Sequence, residues 1–224
     1  MSGLRPLGTL AAAGHGGEIG CSGRTSARAR SVAGMTRVQY FTAATLDGFI
    51  ADEHHSLDWL FEVPHGDDDG SWDAFITRVG ALVMGASTYT WMLGKHPEML
   101  EGPEQWREFY GDRPGWVFTH RELPPMPGVD LTFVSGDVRR VHDEIAAGIG
   151  DQNLWVLGGG DLVGQFDDAG LLDEIHVHLT PVVLGAGAPL LPRRITSSRL
   201  RFRTAEQHGQ RVNVVLDVTR PTSP

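Results

Sequence analysis

The stretch that most constrains the fold is residues 154–166, LWVLGGGDLVGQF. Four large apolar residues in a row read as a strand buried on both faces; three glycines end it and a helix-like pattern starts at once. Glycines at such a turn let backbone N–H groups approach a ligand, and the helix start adds partial positive charge, so a pyrophosphate is the natural occupant. Gly158-x-Gly160 followed by Gly164 is not the complete G-x-G-x-x-G pattern, and a simple tight strand–helix turn is the competing reading.

The same alternation runs along the rest of the chain. Residues 38–44 read as a buried strand and 46–52 as a turn with a short extended piece. Residues 70–79 read as a helix capped by Ser71, with Phe75, Ile76 and Val79 on one face. A short strand at 81–84 leads to a helix at 87–93 with a capping hydroxyl, and a short helix is expected around 105–110 within a loop. Strands follow at 116–119 and 131–134. A helix capped by Asp137 spans 138–147, another spans 161–169, and a long strand bent near Pro181 spans 174–184. The last two strands, 200–208 and 211–219, alternate as half-buried strands do and are joined by Gly209-Gln210, the order that a type II′ hairpin requires. The pattern predicts an α/β domain: three layers, a central mixed and mostly parallel sheet, and a C-terminal antiparallel hairpin.

Residues 1–34 stand apart. They hold four Arg, one Glu and no Phe, Trp or Tyr. Such a segment buries too little apolar surface to offset its ordering entropy. It is expected to be a disordered extension or to precede the true start at Met35; residues 35–220 form the domain and 221–224 a short disordered tail. The single cysteine, Cys21, excludes an intrachain disulfide and, with no export signal, suggests the cytoplasm. No apolar run is long enough to cross a bilayer, and a net charge of −9 argues against nucleic acid as a partner.

Two further strand ends repeat the glycine-and-donor design. LVMGASTY places Gly85, Ala86, Ser87 and Thr88 at a helix start, and FTHR ends a strand in Thr119, His120 and Arg121. Ligands of open α/β sheets bind beyond the carboxyl ends of the strands, and a dinucleotide with an extra ribose phosphate would use all three ends.

With TLDGFIA (residues 45–51), VMGASTY, FTHR, VLGGGDLVGQF and DEIHVHLTPVVLGAGAPLL (residues 173–191), the chain from about Arg37 to Arg220 resembles the dihydrofolate reductase-like superfamily. Within it, the chain is similar to the reductase domain at the C-terminus of the bacterial riboflavin-biosynthesis deaminase–reductase and its stand-alone relatives. The resemblance implies NADPH, rather than NADH, on Leu157, Gly158, Gly159, Gly160, Asp161 and Leu162, with Ala44 and Ile50 also lining the cofactor. It puts the adenosine phosphate near Gly85–Thr88 and Thr119–Arg121, although Ala86 stands where related reductases usually carry Arg. It implies a small-molecule substrate beside Thr45, Asp47, Gly48, Thr180, Pro181 and Gly185. Asp69 falls at the position of the carboxylate used by dihydrofolate-reducing members, with Asp73 the runner-up; Asp47 is a further candidate acid. A homodimer is implied, with the strand around His176 and the terminal hairpin as contact surfaces. The function expected is hydride transfer to a pteridine, pyrimidinone or similar ring; the alternatives are the riboflavin-pathway reduction of a phosphoribosylamino-uracil, for which Arg193-Arg194 is the nearby cationic candidate, and a nucleotide-binding protein without turnover.

Other signals carry less. His176 and His178 share a strand face, but no set of ligands completes a metal shell by spacing. His54, His55 and His65 fall in polar loop and read as solvent-titrating. No cysteine after Cys21 could build the Pro-Cys-x-x-Cys half of a zinc deaminase. Neither a nucleoside-triphosphate phosphate-binding loop nor a Gly-x-Ser-x-Gly elbow is present.

Overall fold

The computed structural model describes residues 36–64 and 70–220. Met35, Asp69, His65 and both terminal segments lie outside the described residues.

The chain forms β1 (Val38–Thr45), β2 (Phe49–Ala51), α1 (Asp58–Glu62), α2 (Ser71–Ile76), β3 (Val79–Gly85), α3 (Ala86–Lys95), a 3₁₀ turn (Pro97–Leu100) and α4 (Glu104–Tyr110). It continues through β4 (Gly115–Phe118), β5 (Leu131–Val134), α5 (Val138–Ile149), β6 (Asn153–Gly158), α6 (Gly160–Asp168), β7 (Leu172–Thr180), β8 (Ala188–Pro189), β9 (Leu200–His208) and β10 (Arg211–Val218). Eight strands make one sheet in the order β5-β4-β3-β6-β1-β7-β10-β9, and β2 pairs with β8 separately. The strands from β5 to β7 are parallel, while β10 adds antiparallel to β7 and β9 antiparallel to β10.

Period-two alternation splits the interior into two cores. On β3, Ala81 and Val83 enter one and Leu82 and Met84 the other; on β6, Leu154 and Val156 oppose Trp155 in the same way. Val141 and Ile145 of α5 with Leu162, Val163 and Phe166 of α6 close the aliphatic side. The other side is aromatic: Trp155 meets Phe75 at 5.3 Å, Trp72 at 5.4 Å and Tyr110 at 5.9 Å between ring centroids. The three-layer reading of the sequence matches this architecture.

Several local expectations need correction. The helix at 71 ends at Ile76, because Val79 already belongs to β3 and pairs with Asn153. Its cap is Gly70, in the left-handed region, rather than Ser71. Helix α3 begins at Ala86 and runs through Gly94, a position expected in loop, to Lys95. Strand β7 stops at Thr180, since Pro181 has no N–H to give the ladder. Strand β9, at the sheet edge, is exposed along most of its length rather than half-buried, with Phe202 70% accessible. The hairpin loop is as expected, with Gly209 at φ +58°. Among the described residues no helix is long and apolar enough to cross a membrane.

Candidate nucleotide site

Parallel pairing sends the ends of β1, β3, β4, β6 and β7 to one edge of the sheet. Gly85 is level with Phe118, Met84 with Gly158, and Thr45 with Thr180. The glycine turn, the start of α3 and the Thr119–Arg121 segment after β4 therefore share that edge. Contact is direct: a Cβ on Gly85 would sit 3.7 Å from both the Gly158 O and the Gly159 N, and one on Gly158 would sit 3.6 Å from the Thr88 Oγ1.

A cavity of about 260 Å³ opens there. Of the expected cofactor residues, Ile50, Ser87, Thr88, Leu157, Gly158, Gly159, Gly160 and Asp161 line it. Ala44, Gly85, Ala86, Thr119, His120, Arg121 and Leu162 do not. Ala44 and Leu162 are core residues, and the Thr119 hydroxyl is engaged with the backbone of Arg121. The structure adds residues that the sequence reading missed: Thr42, Ala51, His55, Leu57 and Trp91, and, facing the glycine turn, Ala188, Pro189 and Pro192.

Two helices begin at this cavity without a capping side chain, α3 after Gly85 and α6 after Gly159. Their first backbone N–H groups lack intrahelical acceptors, which makes each start a donor site for an anion. Gly158 sits at φ +134°, a conformation side chains rarely adopt, and a Cβ on Gly160 would lie 2.4 Å from the Pro189 O and 2.5 Å from the Leu190 O. The glycines thus do two jobs: Gly160 lets β8 close against α6, and Gly159, whose Cβ position is open, keeps the cradle clear. The donor set, apolar walls and missing side chains suit the pyrophosphate of a dinucleotide.

Residues 36–214 match the RibD C-terminal domain family. The chain belongs to that family. It is 31% identical over 174 residues to the uncharacterized Bacillus subtilis (strain 168) protein YwjB, covering 78% of this chain and 93% of the relative. Among solved structures, a Shewanella sp. PV-4 protein named for riboflavin biosynthesis is 26% identical, with a TM-score of 0.66 over 84% of this chain and all of the other. A Thermotoga maritima deaminase/5-amino-6-(5-phosphoribosylamino)uracil reductase shares the fold at 18% identity and a TM-score of 0.57, over 82% of this chain and 57% of that one. An Enterococcus faecalis dihydrofolate reductase complexed with NADP(H) also shares it, at 13% identity and a TM-score of 0.50, over 83% of this chain and 97% of that one.

In this RibD C-terminal domain the residues expected around a substrate form a brace beside the cavity rather than its lining. The Thr45 hydroxyl donates to the Asp47 Oδ1 at 2.6 Å, and the backbone N–H groups of Leu184 and Gly185 donate to the Asp47 Oδ2 at 3.1 and 2.7 Å. The Thr45 hydrogen bond, with those from Gly185 and Leu184, lowers the Asp47 pKa below the ordinary carboxylate value. The Thr180 hydroxyl donates to the Ala44 O at 3.1 Å, and the Leu46 N–H donates to the Val182 O at 2.8 Å. Gly48 accepts from the Leu190 N–H at 2.8 Å, and Pro181 begins the segment that this brace holds. An ionised carboxylate saturated with donors is a poor proton source, so the geometry assigns Asp47 to joining the turn after β1 to the loop after β7. The Asp73 side chain is exposed on α2, outside the cavity lining.

His176 lies on β7, away from the cavity lining. It packs on Phe41 and Phe75, at 5.8 and 5.4 Å between ring centroids, and its Nε2 lies 2.8 Å from Glu174. Burial alone would raise the Glu174 pKa, but hydrogen bonds from His176, Arg203 and Gln39 and the charge of Arg37 hold it well below the carboxylate range. Among the described residues no group of three or more His, Cys, Asp or Glu is placed to hold a metal.

Proposed function

We propose that this domain is an NADPH-dependent reductase that passes hydride to a small planar heterocycle of the pteridine or pyrimidinone kind. The observation carrying the proposal is the convergence of two uncapped helix starts and the Gly158–Gly160 turn on one cavity at the carboxyl edge of the sheet. The names of the Thermotoga and Enterococcus proteins that share the fold support it. Gly158, Gly159, Gly160 and the start of α6 would hold the pyrophosphate. Ser87 and Thr88, with His120 and Arg121 beyond the end of β4, would receive the ribose phosphate that separates NADPH from NADH. When bound, the cofactor supplies hydride from C4 of its nicotinamide; the chain's task is to orient it and keep water out.

The lining favours an uncharged ring over a phosphorylated one. Its carboxylate is Asp161, and among the described residues neither Arg nor Lys lines it. Arg193, the cation that reaches this carboxylate, is bonded to Asp161 at 3.2 Å and to Asp168 at 2.8 Å. A phosphate arriving here would have to break both pairs. The reading extends to a homodimer through the exposed edge strand β9 and Phe202.

Titration with NADPH is expected to quench tryptophan fluorescence, since Trp91 lines the cavity. NADPH oxidation is then expected with at least one member of a panel of pterins, pyrimidinones and quinones. Quenching without oxidation across the panel would turn the reading to a nucleotide-binding protein; no quenching would end both.

A further inference from the structure

We propose that His55 is the proton donor of the reaction, delivering its imidazole proton to the heteroatom of the bond that receives hydride. The inference rests on the reductase reading and goes beyond it by naming a residue that touches the reacting molecule.

His55 lines the cavity. Of the other polar groups lining it, the Asp161 carboxylate is engaged by Arg193 and by Gln165, at 3.2 and 3.1 Å, whereas His55, an exposed residue, brings an acid–base side chain to the cavity. The backbone holds it there deliberately. His55 is the one non-glycine residue among the described residues with positive φ, +59°. This conformation is unfavourable for a side-chain-bearing residue and is kept only where the surroundings fix it. The surroundings are Asp52, whose Oδ1 accepts from the His54 N–H at 2.8 Å and the Ser56 N–H at 2.7 Å, while its carbonyl accepts from the His55 N–H at 3.0 Å. The turn is therefore fastened on both sides of His55, and β2, from which it leaves, is itself tied to β8 across the cavity. The titratable groups around His55 are Asp52, Glu53 and His54 on its own turn and Asp161 among the lining residues.

The balance closes with a C=N acceptor. Its carbon takes hydride, two electrons and a proton, from the reduced nicotinamide, which is left oxidised. Its nitrogen takes the proton from the imidazolium of His55, and the neutral imidazole is reprotonated from water. Proton delivery by a positioned side chain contributes about 10²–10⁴-fold to such steps.

The test uses His55→Asn, which tolerates the left-handed conformation but does not titrate, and His55→Gly, which removes the strain with the side chain. The acceptor probe is the fastest dihydropterin or pyrimidinone of the panel. Both variants are expected to fold and to bind NADPH within about twofold of wild type by fluorescence quenching, and to lose about 100-fold in kcat. His55→Asn is also expected to lose the limb of the pH–rate profile that falls as imidazole deprotonates. In NMR of the intact chain, saturating NADP+ is expected to move the imidazole resonances of His55 and to leave those of His54 in place. An unchanged pH profile in His55→Asn, an unmoved His55 resonance, or a tenfold or greater loss of NADPH affinity in both variants would overturn the assignment while leaving the reductase reading intact. Failure of the wild-type chain to bind or oxidise NADPH would overturn both, and is seen before any variant is made.

Discussion

Helices α3, α5 and α6 each follow a parallel strand and begin at the same edge of the sheet, yet they begin differently. The α5 start is closed by its own sequence: the Asp137 carboxylate accepts the Arg139 N–H at 2.9 Å. The starts of α3 and α6 have glycine at that position and no side-chain cap, and both open on the cavity. A cap residue adds about 1 kcal/mol to a helix. Two of three otherwise equivalent helices forgo it where a ligand anion would supply the same hydrogen bonds. The difference separates a helix start that serves the fold from one that serves a ligand.

Substitutions can break that comparison or sharpen it. The largest effect is expected from Gly160→Val. Its Cβ meets the Pro189 and Leu190 carbonyls, so β8 must leave α6. The cost should be about 3 kcal/mol by urea denaturation, with NADPH quenching lost as well. Gly159→Asp is the sharper version, because its Cβ position is open and an aspartate there would convert α6 into a copy of the α5 start. Stability should hold or rise by about 0.5 kcal/mol while NADPH affinity falls about 100-fold. Equal losses in both properties would break the distinction.

Glu174→Gln tests a region away from the cavity lining. With its folded pKa lowered, Glu174 contributes stability above its unfolded pKa of about 4.3, and that contribution is lost as pH falls toward the folded value. The variant should lose about 2 kcal/mol at pH 7 and show a shallower decline of stability between about pH 4.5 and 2, with NADPH binding unchanged. The smallest effect belongs to Asp137→Ala, about 1 kcal/mol in stability and none in nucleotide affinity.

How far the site could be read from sequence follows from where its residues get their instructions. The turn at Gly158–Gly160 was legible because a buried strand, a run of glycines and a helix start are adjacent in the chain. Asp137 was legible as a cap for the same reason. His55 was not. Its neighbours are polar and it is exposed in a turn, as the sequence suggests; that it also lines the cavity follows from the Asp52-fastened turn, which no local pattern announces. Asp47 misled in the opposite sense, since a carboxylate at a strand end resembles a catalytic acid until the donors from Thr45, Leu184 and Gly185 are seen.

By itself the sequence determined the α/β layering, the order of buried strands, the terminal hairpin and the glycine turn, because hydrophobic period and turn chemistry act between residues a few positions apart. Only the tertiary structure decided which side chains share the cavity. Its walls are set by the pairing of β2 with β8 and by the approach of the Pro189 carbonyl to Gly160, contacts between segments distant in the chain that no local pattern encodes.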